Sequence, residues 1–541
     1  MTPDQEEKNQ NNIDTTEEKN KSTGHESTRY QSSTKRIAKN TLMLYFRQIL
    51  IMLVSLYTVR VVLNTLGAED YGIYNVVAGV VVLFSFVNNA MASATQRFLN
   101  YSLGENNLKK TQEVYSASLI VHLGIAVIFI FLAETVGLWF VSNKLNIPEL
   151  RKTATAIVYQ CTIITTVFNI LRVPYNAVII AYEKMSFFAW LSILEAILKL
   201  AIVFLLVLSD RDRLVLYAFL MTTVALVILL CYKIYCNRTF NVAHYRKITD
   251  MALVKKILSF SGWSLFGAVA NVANSQGTNI VLNMFTNVTV NAAMGIANQV
   301  NSAVYSFVGN FQTAFNPQIV KSYAEGKKEY FIDLVFRTAK VSFLLLNFMV
   351  VPLLLNAEIV LHIWLKSIPE YTIHFVQLIL IWSLIDSWNG PLWMSVQATG
   401  NIRKYQILIS LFIFLNLPFS IIAFLLGAHP EWVLIIRICI NVFNTFWRIC
   451  FLHKQITLPR MRFITDVLFR CVCVFVCSYC ATFFLGTFFY KSVIVYFFVT
   501  CVSSVLINFI ISLYMGFNSL ERSMLLELLK CKLGKLNYCA K

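Results

Sequence analysis

Charge is scarce in this chain. Only 14% of its 541 residues are charged, where a soluble domain carries about a quarter. Hydrophobic residues make up 57% and the mean hydropathy is +0.62, so most of the sequence does not face water. Acids are scarcer than bases, 28 against 46, for a formal net charge of +18. In a soluble protein that excess would suggest nucleic acid. Here the basic residues sit in short segments between apolar runs, with no continuous basic patch. They are read as topology charge beside anionic lipid, and no nucleic-acid partner is expected.

Other absences narrow the reading. Residues 1–40 are polar and hold no apolar core, so they lack the h-region of a secretory leader. The first membrane helix is expected to serve as an uncleaved signal, and the tail reads as disordered. No G-x-x-x-x-G-K-[ST] loop occurs, so neither ATP hydrolysis nor a cofactor is expected. The 12 cysteines form no ligand set. Cys471, Cys473, Cys477 and Cys480 fall in one apolar run, where cysteine acts as a small hydrophobe; a zinc site gathers its ligands from loops or several elements. The histidines inside apolar runs, His122 and His374, have no carboxylate neighbour in sequence. A membrane-embedded enzyme would therefore lack an evident acid–base pair. All loops are short, which excludes a soluble catalytic domain between them.

What the sequence has in abundance is long apolar runs. A bilayer crossing needs about 20 mostly apolar residues, and in lipid a single such run must be a helix. Fourteen candidates stand near 41–64, 72–95, 114–141, 153–180, 186–208, 213–235, 256–284, 291–315, 335–357, 372–397, 404–427, 431–452, 464–488 and 492–515. The expected fold is an all-α polytopic membrane protein. Its predicted organisation is a tail at 1–40, an N-lobe at 41–235 and a basic linker at 236–255. A C-lobe follows at 256–452, two further helices at 453–515 and a tail at 516–541. Placing both termini in the cytoplasm gathers most loop cations on that side, including Lys35, Arg97, Lys184, Lys247, Lys321, Arg403 and Lys454. The exception is the outer loop at 142–152, which holds Lys144, Arg151 and Lys152.

Two stretches resemble copies of one another. Val61-Val62-Leu63-Asn64 leads through a short turn and a polar-spotted helix to Tyr101-Ser102-Leu103-Gly104-Glu105. Ile280-Val281-Leu282-Asn283 leads in the same way to Ser322-Tyr323-Ala324-Glu325-Gly326. Asn64 and Asn283 stand 219 residues apart, and Tyr101 and Tyr323 stand 222 apart. Six predicted helices fill that period. An even number gives two lobes of like orientation, related by an axis along the membrane normal, with a substrate site between them.

These residues also carry a family resemblance. Leu66-Gly67-Ala68-Glu69-Asp70-Tyr71-Gly72-Ile73-Tyr74 and Ser93-Ala94-Thr95-Gln96-Arg97-Phe98 resemble the corresponding part of polysaccharide flippases. The second-lobe run Ala297-Asn298-Gln299-Val300, with Phe315-Asn316-Pro317 and Ala324-Glu325-Gly326, is similar to the matching part of the second lobe. The family is the multidrug/oligosaccharidyl-lipid/polysaccharide (MOP) exporter superfamily, in particular its Wzx-like oligosaccharide flippases. The resemblance implies a V-shaped pair of lobes, alternating access and residence in the bacterial inner membrane. It also implies an undecaprenyl-pyrophosphate-linked oligosaccharide as cargo. Membrane lipids and glycan polymerase machinery would be its other partners.

Polar residues inside the apolar runs are the functional candidates, because a charge near the bilayer centre costs about 2.5–3.5 kcal/mol. Arg47, Arg60, Arg172 and Lys199 are candidates for a cationic cavity that replaces the hydration of a pyrophosphate. Each has a plainer alternative: Arg60 can snorkel, and Lys199 can simply neutralise Glu195 four residues earlier. Asn271 and Asn274 share a helical face, as do Asn298 and Asn301. With Asn88 and Asn89 they would line a polar cavity, or else act as glue between helices. Asp386 and Asn389 precede Gly390-Pro391, an expected helix break. Asp386, and with it Glu195, is the candidate for ion coupling; the plainer reading pairs Asp386 with Arg437. The competing function is a cation-coupled multidrug exporter of the MATE type. A membrane-embedded glycan-processing enzyme ranks well behind.

Overall fold

The computed structural model describes residues 40–54, short pieces between 57 and 77, and then 85–144, 148–208, 212–248, 251–286, 288–365, 368–488, 493–518 and 521–523. Every regular element among the described residues is helical. Besides the short helix Ala357–Trp364 and a turn of helix at Asn241–Ala243, these are, in chain order, α1 (Asn40–Val54), α2 (Ser85–Gly104), α3 (Leu108–Asn143), α4 (Glu149–Ala181), α5 (Met185–Val207), α6 (Arg213–Thr239) and α7 (Met251–Phe285). They continue as α8 (Val288–Ala324), α9 (Lys328–Leu355), α10 (Thr372–Asp386, resuming as Asn389–Thr399), α11 (Arg403–Leu425), α12 (Trp432–Ile456), α13 (Arg460–Thr487) and α14 (Val493–Gly516). Side chains set several ends. The Asn107 Oδ1 accepts from Lys110 N at 3.0 Å to start α3, and Asp212 accepts from Leu214 N and Val215 N to start α6. Both are N-caps that satisfy free amide groups of a first turn.

Ten of these helices are long and apolar enough to cross a membrane. The expected crossings that fall short are α1, α2, α8 and α10. The described part of α1 is short, and α10 is broken in the middle. Only Ser85–Gly104 of α2 is described, and that part is polar; α8 is polar along its length, with Asn291, Asn298, Gln299, Asn301, Asn310, Gln312 and Gln318. α7 passes with the lowest hydropathy of the ten, 1.2. α2, as far as it is described, and α8, six helices later, are thus the polar pair.

Packing follows the same period. In the first half α2 packs on α3 and α4, α3 on α4, α4 on α6, and α5 on α6. In the second half α8 packs on α9 and α10, α9 on α10, α10 on α12, and α11 on α12. Two lobes of like construction result, built on α2–α6 and α8–α12. α13 and α14 pack on each other and on α9, joined by a buried amide seam. There the Asn347 Nδ2 donates to Ser478 Oγ at 3.3 Å and to Asn508 Oδ1 at 2.9 Å, and Thr500 donates to Asn356 Oδ1 at 3.0 Å.

The lobes meet through α2 against α7 and α8. The side chains that join them lie at the end where α1 begins and where the α2–α3, α4–α5, α8–α9 and α10–α11 turns gather. This is called the basic end below. The Tyr45 and Phe307 rings lie tilted to one another at 5.7 Å, Phe98 meets Phe260 edge-on at 5.6 Å, and Gly104 lies so close to α8 that a Cβ there would stand 2.7 Å from that of Ala324.

Two loop charges differ from expectation. Arg97 does not sit in a loop: it is 5% exposed inside α2 and bonded across the lobe interface. Arg151, the outer-loop exception, is neutralised by two acids, Asp70 and Asp212, each at 2.7 Å. Its cost on that side is thereby reduced.

Candidate functional site

Three helices of the N-lobe bring the expected charges together. On α5, Phe188, Ser192, Glu195 and Lys199 follow at spacings of four, three and four, which places them on one face. The lipid-exposed residues Trp190, Leu194, Ile197 and Phe204 lie on another. α4 supplies Arg172, whose Nη1 donates to Glu195 Oε2 at 2.9 Å. Lys199 Nζ donates to Glu195 Oε1 at 2.7 Å. Glu195 is thus shared by two cations. The side chains are 26% exposed at Arg172, 24% at Glu195 and 40% at Lys199, so the group is only partly buried. Pro174 leaves α4 helical throughout, and Ile170, one turn earlier, has no amide from it to accept.

Arg47 of α1 completes the cluster. Its Nη1 donates to Ser192 Oγ at 3.3 Å, and its Nη2 donates to Asn310 Oδ1 of α8 at 3.0 Å. The guanidinium also lies 4.6 Å over the Phe188 ring. Asn310 is steadied in turn by donating to Gln48 Oε1 at 3.2 Å. Arg47 stands seven residues beyond Asn40, about 10 Å into the bundle. Tyr232 of α6 is the common neighbour: Arg172 lies 5.6 Å over its ring, and Arg47, Arg172 and Glu195 all act electrostatically on its hydroxyl. The cluster holds three cations and one acid, for a net charge of +2, with Arg172 and Lys199 on the acid and Arg47 beside them. Arg60 lies outside the described residues, as do the side chains of Asn88 and Asn89.

The C-lobe holds a second polar group at the break in α10. Pro391 has no amide hydrogen, which frees the carbonyl four residues back. That carbonyl, Ser387 O, accepts instead from Gln312 Nε2 of α8 at 3.0 Å. Asp386 ends the first segment and accepts from Asn389 Nδ2 at 3.3 Å and Asn441 Nδ2 at 3.5 Å. The Tyr305 hydroxyl is also hydrogen-bonded to it. Arg437 lies 4.1 Å over the Trp382 ring and within electrostatic reach of Asp386. Asp386 therefore belongs to a group in the opposite lobe from Glu195.

The amides divide. Asn274 is 7% exposed and accepts from Asn416 Nδ2 of α11 at 3.3 Å, and Asn301 accepts from Ser383 of α10. Both join helices. Asn271 is exposed and, among the described residues, bonds only the Gly267 carbonyl of its own helix, at 2.8 Å. Asn298 is half-buried and makes no hydrogen bond among the described residues. Beside it α8 exposes Gly295, Gln299, Ser302 and Ala303. A Cβ on Gly295 or Gly309 would meet nothing within 4 Å. A stripe this small and polar suits water, not lipid, and it lies on a helix that faces the other lobe.

Sequence reasoning missed Tyr232, Ser192 and Asn310, whose contacts with Arg47 and Arg172 span long stretches of chain. It also gave His374 no partner, yet Glu431 lies 3.1 Å from its Nδ1. The four cysteines of α13 run along one helix, from buried Cys471 to exposed Cys480.

The sequence profile of a family described as polysaccharide biosynthesis protein matches residues 37–323. No curated protein sequence matches the chain. Among solved structures, one described as the outward-facing conformation of a multidrug resistance MATE family transporter of the MOP superfamily is similar. It has a TM-score of 0.68 at 14% identity, over 79% of this chain and 96% of that one. MATE in the straight conformation gives 0.66 at 15% identity, over 79% and 96%. A MOP superfamily transporter from Pyrococcus furiosus, titled for the reverse polarity of its binding pocket, gives 0.63 at 15% identity, over 78% and 96%. At such identities the likeness is one of fold.

Proposed function

The chain belongs to the polysaccharide biosynthesis protein family, and we propose that it flips an undecaprenyl-pyrophosphate-linked oligosaccharide across the bacterial inner membrane by alternating access. In this reading the basic end faces the cytoplasm, as the loop charges favour. The chain is a transporter and not an enzyme, and the two lobes, 41–235 and 256–452, are its moving parts.

One observation carries the cargo assignment: Arg172 and Lys199 share one acid, Glu195, and Arg47 is held beside them by Ser192 and Asn310, leaving net positive charge in a partly buried N-lobe cluster. A diphosphate head would accept the donors that Arg172 and Lys199 now give to Glu195. Arg binds such groups with two parallel hydrogen bonds, and Lys adds point charge. Asn271, Asn298 and Gln299, on exposed or half-buried faces, would serve sugar hydroxyls. Arg60, Asn88 and Asn89 belong to the same proposed lining. Asn274 and Asn301 are better read as structural.

The second reading, a cation-coupled drug exporter, draws on Asp386 beside the α10 break, where a carboxylate can take up an ion. That carboxylate already accepts from two amides and is bonded to a tyrosine hydroxyl, which leaves it less free than a coupling acid needs to be. A scan removing Arg47, Arg172 and Lys199 together, scored by surface-glycan export beside drug susceptibility, separates the two. Loss of export with unchanged drug resistance supports the flippase; wild-type export excludes it.

A further inference from the structure

At the basic end the lobes are joined by two clasps that repeat one another. In the first, Arg97 near the end of α2 reaches the last carbonyls of α10. Its Nε donates to Gln397 O at 2.9 Å and its Nη2 to Ala398 O at 3.0 Å. α10 ends there on Gly400, whose φ of 77° closes the turn; the space where its Cβ would stand is taken by the Arg97 guanidinium. In the second, Lys321 near the end of α8 donates to Ala181 O, the last residue of α4, and to Glu183 Oε1 at 3.1 Å. α4 ends there on a turn in which Glu183 takes a φ of 59°, a left-handed conformation that a non-glycine residue adopts at a cost.

The correspondence is one of elements rather than of single positions. α8 is the repeat partner of α2, and α10 of α4. Arg97 and Lys321 stand 224 residues apart, and Ala181 and Ala398 stand 217 apart, close to the period seen in the sequence. One turn before each cation a polar residue adds a second bond. Ser93 Oγ pairs with the Gln397 amide at 2.9 and 3.1 Å, and Gln318 Nε2 donates to Glu183 Oε1 at 2.6 Å. In both clasps a fixed cation from one lobe meets the carbonyl end of a helix in the other, where the helix dipole is negative and the last carbonyls lack partners. Arg97 is 5% exposed and Glu183 is 5% exposed, so neither clasp is a surface ion pair.

We propose that these clasps are a matched pair of latches that hold the basic end closed and release together. Each cation is rooted in one lobe and each acceptor in the other. Because the lobes are internally packed bodies, parting them breaks both sets of bonds. Arg97 and Lys321 then set the balance between closed and open at this end, whatever the cargo.

The test is hydrogen–deuterium exchange on the full chain in lipid nanodiscs, comparing wild type with Arg97→Gln. Losing a charge-assisted pair of bonds should speed exchange about tenfold or more. Acceleration is expected in the distant 181–185 turn as well as in 397–403. Acceleration confined to 397–403, with 181–185 as slow as wild type, would overturn the coupling. Peptides covering the Asn347–Asn508 seam report the fold and should stay protected. If Arg97→Gln loses that protection, Lys321→Gln makes the same test in reverse. It should speed 397–403, and an unchanged 397–403 would overturn the proposal equally.

Discussion

Deep in the C-lobe, Lys340 of α9 has one counterion. It stands twelve residues beyond Lys328, about 18 Å along the helix. Its side chain is 3% exposed, and its Nζ lies 2.8 Å from Glu521 Oε2, itself on a side chain 12% exposed. Glu521 follows the last helix, and its carboxylate also accepts from Asn518 N at 2.8 Å. The chain after α14 therefore turns back to place an acid on a buried cation. Glu521→Gln strands the ammonium in the bundle, and an uncompensated buried charge costs about 3–5 kcal/mol. Removing the cation as well should recover most of that, because a buried pair replaced by apolar groups of similar size is often neutral or better. Lys340→Met with Glu521→Gln is thus expected within about 1 kcal/mol of wild type, since Met fills the same channel without charge. The assay is unfolding in mixed micelles by denaturing detergent, followed by tryptophan fluorescence. A single Glu521→Gln variant costing under about 1 kcal/mol would refute the reasoning. So would a double variant no more stable than the single.

Other outcomes follow from the same contacts. Gly390→Ala places a methyl group against the Gln312 side chain and should cost about 1–3 kcal/mol by overpacking in the same unfolding assay. Asn274→Ala breaks the pair with Asn416 and should cost about 0.6 kcal/mol. Asn271→Ala should leave stability unchanged, and, if α7 lines the path, lower glycan export. Arg151→Ala removes a partly exposed bridge between Asp70 and Asp212, and should cost no more than about 1 kcal/mol.

Much of the architecture was legible because hydropathy and period are local properties. The expected runs near 213–235 and 492–515 differ from Arg213–Thr239 and Val493–Gly516 by a few residues at most. α8 is the larger miss: it runs on to Ala324 through Pro317, where the expected run stops at 315, because its last turns are polar and packed against the other lobe. The Glu195–Lys199 pair was visible as a four-residue spacing. The Arg172–Glu195 bond was not, since it joins helices 23 residues apart. Nor was the Arg47–Asn310 bond, which spans 263 residues. Arg97 was misplaced for a related reason. A basic residue at the end of a polar helix looks like a loop charge until its acceptors, 300 residues away, are known.

The cationic cluster is the centre of the account, and direct binding tests it best. Wild type and an Arg47→Gln, Arg172→Gln, Lys199→Gln variant would be titrated in nanodiscs with a polyprenyl-pyrophosphate glycolipid, read by intrinsic fluorescence at low and high salt. Three charge-assisted contacts at about 1.5 kcal/mol each predict salt-sensitive binding weakened at least about a hundredfold in the variant. Equal affinity in the two proteins would contradict the account.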